Sequence, residues 1–250
     1  MSGSTSTVRL VLGRLVAEQP YAPNEDDLRT FQLAGLRLPV RATIAITVMV
    51  FVVIFDFSRT FIPDDLIQYD RNPGMQRLQA WDRVVLFFLV PLLVILLGFR
   101  DRPSRYGLRL GEWRLGLALA ALGGAVMTPI AIWFAATPEG RDYYAPSWST
   151  LPDVLVTNLM DLTSAEFLFR GFLMFTLVRA IGPIGVLVAT LPFVFTHLTK
   201  PELELISTLV GGMLYGWLAW RTRSIAWGAL AHTYILTLLM AAAAGAVKLG

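Results

Sequence analysis

No cysteine occurs in the 250-residue chain. Thiol catalysis, disulfides and thiolate metal sites are therefore excluded, although the absence says little about redox compartment. Charge is scarce too, at 16% of residues, where a soluble domain carries roughly a quarter. With 55% hydrophobic residues and a mean hydropathy of +0.59, the composition is that of a membrane protein. Several catalytic signatures are also missing. No His-Glu-x-x-His zinc-protease pattern occurs. No Gly-x-Ser-x-Gly elbow surrounds Ser164, Ser207 or Ser224. There is no Gly-x-Gly-Asp, no P-loop and no Gly-x-Gly-x-x-Gly. The net charge of +3 could suggest nucleic-acid binding, but the basic residues cluster between apolar runs, as membrane topology produces. No nucleic-acid partner is expected.

Apolar runs of about 20 residues, the length that crosses a bilayer core, recur along the chain. Seven candidate spans fall near residues 41–57, 83–99, 114–136, 153–180, 181–198, 203–220 and 224–247. A short or re-entrant helix in 62–80 would make eight. The expected fold is thus an all-α, polytopic transmembrane bundle of seven to eight helices. Residues 1–22 lack the continuous apolar core of a signal peptide, and 26–41 reads either as a loosely amphipathic, surface-lying helix or as a disordered arm. The chain divides into an N-terminal arm over 1–40, N-terminal transmembrane helices over 41–152 and a C-terminal core over 153–250. Arg29, Arg37 and Arg41, the run Arg100, Arg102, Arg105, Arg109 and Arg114, then Arg179, Arg221 and Arg223, all fall on one side of a seven-span topology. By the positive-inside rule that side and the N-terminus are cytoplasmic, in a bacterial-type cytoplasmic membrane.

A few ionisable residues interrupt the apolar C-terminal spans. Glu166 and Arg170 are i and i+4, so they share a helix face. His197 closes the fifth span, and His232 lies about two turns into the seventh. Such residues in a membrane point to a functional site. A buried ion pair that fixes packing is the simpler reading of Glu166 and Arg170. Peptide hydrolysis needs an activated water and an oxyanion stabiliser, which a carboxylate and two imidazoles can supply. The same trio could hold a divalent metal such as zinc or form a proton-linked transport relay, although no inverted repeat is detectable. Gly211, Gly212 and Gly216 read as a small-residue packing face.

Three motifs in order resemble the CAAX-protease and bacteriocin-processing (CPBP, or Abi) family of intramembrane proteases. Glu166-Phe167-Leu168-Phe169-Arg170-Gly171-Phe172-Leu173 matches the second glutamate and the arginine of Glu-Glu-x-x-x-Arg, with its usual continuation. Phe193-Val194-Phe195-Thr196-His197 matches Phe-x-x-x-His, and His232 begins His-x-x-x-Asn. The resemblance covers about 153–240. It implies a membrane-embedded endopeptidase in which Glu166 activates water, Arg170 holds Glu166, and His197 and His232 stabilise the oxyanion. Peptide or protein substrates are implied, prenylated CAAX tails or processed bacterial peptides, reached from the lipid bilayer or the cytoplasmic side. No cofactor is implied. Two positions depart from the pattern. Ala165 stands where the family has its first glutamate, and Leu236 stands where it has asparagine. Glu202, Glu204 and Thr237 are the candidate substitutes. A degenerate member serving as a scaffold, immunity or partner-binding protein is the alternative.

Overall fold

The computed structural model describes residues 22–58 and 71–247. The first element, α1 (Glu25–Leu28), opens on a capping box. The Asn24 side chain accepts from the Asp27 amide, and the Asp27 carboxylate accepts from the Asn24 amide. The surface helix expected over 26–41 does not continue beyond it. Strands β1 (Thr30–Leu33) and β2 (Leu36–Pro39) instead form an antiparallel hairpin. Its two-residue turn places both Ala34 and Gly35 at positive φ, 49° and 83°. That is the turn geometry whose twist matches paired strands, and it overrides a weak helical periodicity.

Seven longer helices follow among the described residues, each overlapping one expected span. They are α2 (Val40–Ser58), α3 (Pro73–Gly98), α4 (Trp113–Ala136), α6 (residues 151–181), α7 (Ile184–Phe195), α8 (Glu202–Thr222) and α9 (Ala226–Ala243). The small α5 (Pro138–Tyr144) lies in the connection before α6. Helix α6 is α-helical over Leu151–Glu166, π-helical over Phe167–Met174 and α-helical again over Phe175–Ile181. Among the described residues, α2, α3, α4, α8 and α9 are long and apolar enough to cross a membrane. Helix α7, at 12 residues, is shorter than the span expected over 181–198. Gly182 and Pro183 delay its start, and the chain leaves the helix after Phe195.

Helix α3 starts well before residue 83, because Asn72 caps it and Pro73 occupies its first turn. The short helix expected in 62–80 falls partly outside the described residues, and its later part is the first portion of α3. Two π segments, Val84–Leu89 and Val94–Gly98, flank the turn that contains Pro91. A proline has no amide hydrogen to give the ladder, so the helix adjusts around it.

Helix α6 is the core of the bundle. Every residue from Ser164 to Arg179 is buried, as a helix apolar on all sides must be. It packs against α2, α3, α7, α8 and α9, with ring contacts Phe87–Phe169, Phe88–Phe167, Phe99–Phe172 and Phe169–Phe193. Glycines on α4 let α9 approach. A Cβ on Gly116 would lie 2.1 Å from the Trp227 ring.

One end of the bundle gathers the arginines that the sequence assigns to one side. Buried Asp27 pairs with Arg41 at 2.7 Å, Arg105 at 2.6 Å and Arg179 at 3.3 Å, and Asp101 pairs with Arg41 and Arg105. Burial pushes the Asp27 carboxyl up. The Asn24 amide, then Arg179, Arg41 and Arg105, outweigh that and hold it below its ordinary value. The Glu112 amide bonds the Thr222 carbonyl and the Ile225 amide bonds the Gly107 carbonyl. The α8–α9 turn therefore lies with the α3–α4 connection, as the seven-span reading requires.

Candidate functional site

Glu166 sits in the middle of α6, where α-helix passes into π-helix. Such transitions often accompany functional positions. Its side chain is fully buried. Oε1 lies 3.4 Å from Arg170 Nη1 and 3.4 Å from His232 Nδ1. The i, i+4 relationship read from the sequence is thus realised as an ion pair, and α9 adds an imidazole to it. Gly228 makes room for the carboxylate, since a Cβ there would stand 3.1 Å from Oε2. Arg170 is itself enclosed. Its Nη2 donates to the Gly212 carbonyl at 3.3 Å, and its guanidinium lies 3.7 Å from the centre of the Phe193 ring. Gly212 also allows that approach, because a Cβ would meet Thr190 at 2.8 Å. Gly216 serves the same face against Val186, whereas Gly211 faces open space.

The two imidazoles are held in the same manner. His197 Nδ1 lies 2.9 Å from the Phe193 carbonyl one turn back. A carbonyl can only accept, so Nδ1 carries the hydrogen and donates it. His232 Nδ1 faces the Glu166 carboxylate, and a carboxylate likewise selects a protonated Nδ1. In each ring Nε2 is the nitrogen left over. Phe193 packs against both rings, with centroids 4.6 Å from His197 and 6.2 Å from His232. Tyr215 stacks on His232 at 5.0 Å.

Both histidines line one cavity of about 70 Å³. That volume holds a few waters. Ala165 and Leu236, the two departures from the family pattern, line it as well, so their missing polar groups leave its wall partly apolar. Glu166 is not part of the lining. It stands one residue further on, behind His232. Thr237 does not reach the cavity wall either: its hydroxyl accepts from Asn158 at 3.0 Å. Glu202 is outside as well, with its amide donating to Glu139. Glu204 is a wall residue, on the first turn of α8.

Three further charged residues line the cavity without having been selected from the sequence: Arg83, Asp161 and Lys200. Arg83 grips Asp56 through two bonds of 3.0 Å and donates to Asp161 at 2.9 Å. Lys200 pairs with Glu204 at 3.1 Å. Asp161 was legible in principle, because it precedes Ala165 by four residues and so shares its helix face. Arg83 reads from the sequence only as the edge of a span, since its partners come from α2 and α6. Among the described residues, no three His, Cys, Asp or Glu side chains stand close enough together to hold a metal ion.

Residues 147–238 match a family model described as Type II CAAX prenyl endopeptidase Rce1-like. The match takes in α6 to α9 almost entirely, with Glu166, Arg170, His197 and His232 inside it. Over this segment the chain is similar to the CAAX-protease family that its three motifs resemble. No curated protein and no solved structure matches the chain.

Proposed function

We propose that this CAAX-protease-like membrane protein is an intramembrane endopeptidase. Its substrate is the C-terminal segment of a peptide or protein, with prenylated CAAX tails the first class to test. The observation that carries the reading is the convergence of His197 and His232 on one water-sized cavity, each with Nδ1 occupied by the protein. The family match over α6 to α9 supports the same chemistry.

In this reading a water in the cavity attacks the scissile carbonyl. A neutral His197 offers Nε2 as an acceptor, which holds one hydrogen of that water and orients its lone pair. His232 differs, because a carboxylate rather than a carbonyl backs its Nδ1. With its Nδ1 hydrogen facing Glu166, a second proton on Nε2 would make the ring a donor to the developing oxyanion. Glu166 then acts through His232, and Arg170 pairs with Glu166 and holds it in place. This assigns Glu166 a positioning role in place of direct contact with water. The cavity is too small for a peptide, so the surrounding helices must part for substrate to enter.

Two observations favour a scaffold instead: Glu166 and Arg170 form a closed pair in a protein interior, and Leu236 puts an apolar side chain on the cavity wall where the family pattern has asparagine. The two readings separate on cleavage of a farnesylated CAAX reporter peptide in proteoliposomes. The peptidase reading expects turnover by the wild type and none by His197→Ala. No product from either favours the scaffold, and equal product from both removes His197 from the mechanism.

A further inference from the structure

We infer that Glu204 is the general base of this site, replacing the carboxylate that Ala165 does not supply. The inference rests on the peptidase reading. Two carboxylates line the cavity with the histidines, Asp161 and Glu204. Asp161 receives a 2.9 Å bond from Arg83, which is also clamped by Asp56. A carboxylate bound to a guanidinium is a poor proton acceptor. Glu204 is held differently. Lys200 takes Oε1 at 3.1 Å, while Oε2 is buried with no hydrogen-bond partner. A buried carboxylate oxygen without a donor is costly, and a water in the cavity is the group that would satisfy it.

The local chain explains why this residue can serve. Residues 196–201 turn the chain from α7 into α8, with Pro201 at the helix start. The turn brings Lys200 and Glu204 to the same wall as His197. Lys200 and Glu204 are i and i+4, so the ion pair fixes the carboxylate by local geometry. The lysine holds one oxygen and leaves the other for chemistry.

The step balances as follows. One O–H bond of the water breaks, and its proton passes to Glu204 Oε2. The water oxygen forms a bond to the carbonyl carbon, and the carbonyl π pair moves to the oxyanion facing His232. When the C–N bond breaks, the proton on Glu204 passes to the leaving nitrogen.

The test uses the full chain in proteoliposomes with a farnesylated CAAX reporter peptide. Glu204→Gln keeps the shape and removes the base. We expect kcat to fall about a hundredfold or more, with KM little changed. Adding Ala165→Glu to Glu204→Gln places a carboxylate on the same wall and should restore much of the lost rate. Glu202→Gln, outside the cavity, should leave the rate unaltered. A Glu204→Gln enzyme at the wild-type rate, alongside an inactive His197→Ala enzyme, overturns this inference and leaves the peptidase reading standing. Loss of rate in Glu204→Gln with no recovery in the double variant assigns Glu204 a structural part and also overturns it. An inert wild type overturns both.

Discussion

His232 Nδ1 stands 3.4 Å from Glu166 Oε1 across the α6–α9 contact, so the glutamate of the first motif touches an imidazole and not the cavity. That relationship separates the two functions the motif carboxylate could have. A base that meets water cannot be silenced without losing the reaction. A group that orients an imidazole can be weakened and leave part of the rate.

Glu166→Gln should therefore lower kcat by about 10–100-fold, on the scale of other outer partners of a functional histidine. His232→Ala should cost more, about 10²–10³-fold, as removal of an oxyanion donor does. Steady-state kinetics on the farnesylated reporter would order the two. A larger loss from Glu166→Gln than from His232→Ala would put the glutamate back at the water.

Arg170→Met leaves the fully buried Glu166 without its cation. Breaking one side of such a pair typically costs about 3–5 kcal/mol, which thermal unfolding in detergent would register as a marked fall in Tm. The double variant Glu166→Gln/Arg170→Met removes both charges and should recover much of that stability. If the two variants melt together, the pair is not what holds α6 here.

Gly228→Ala tests the space beside the carboxylate. Its Cβ would press to 3.1 Å of Glu166 Oε2, displacing the group that orients His232. The expected result is a fall in kcat with a small change in Tm. An unaltered kcat would mean that the Glu166–His232 contact tolerates displacement.

The arginine end of the bundle predicts a pH dependence of stability. Asp27 is held below its ordinary value in the folded state, while the unfolded chain titrates near about 3.9. Folding is therefore favoured by this group above about pH 4, and the contribution is lost as pH falls through the folded value. The wild type should lose Tm on acidification below about pH 4. Asp27→Asn should start lower and lose less over that range. Parallel curves for the two proteins would contradict the assignment.

Much of this was legible in the sequence. Among the described residues the long helices overlap the apolar runs, because crossing or filling a bundle needs long hydrophobic stretches whatever the tertiary detail. The motif residues His197 and His232 were also legible, and the cavity brings them together. What no local pattern encodes is register across helices. Thr237 is one position from Leu236, yet it faces Asn158 on α6 instead of the cavity. Glu166 and Ala165 are neighbours in the chain and differ in the same way. The meaning of Arg83 and Asp161 lies in a contact between α3 and α6 that no local pattern encodes. The hairpin over 30–39 was missed because the positive φ values at Ala34 and Gly35 carry more weight than the spacing of Phe31, Leu33, Leu36 and Leu38.

The most direct measurement is cleavage of the farnesylated reporter peptide by the wild-type chain in proteoliposomes made up in heavy-oxygen water, followed by mass spectrometry of the products. A hydrolytic site at His197 and His232 places one heavy oxygen in the new carboxyl group, and His197→Ala abolishes the product. Intact peptide after incubation with the folded wild type, or the same labelled product from His197→Ala, would contradict it.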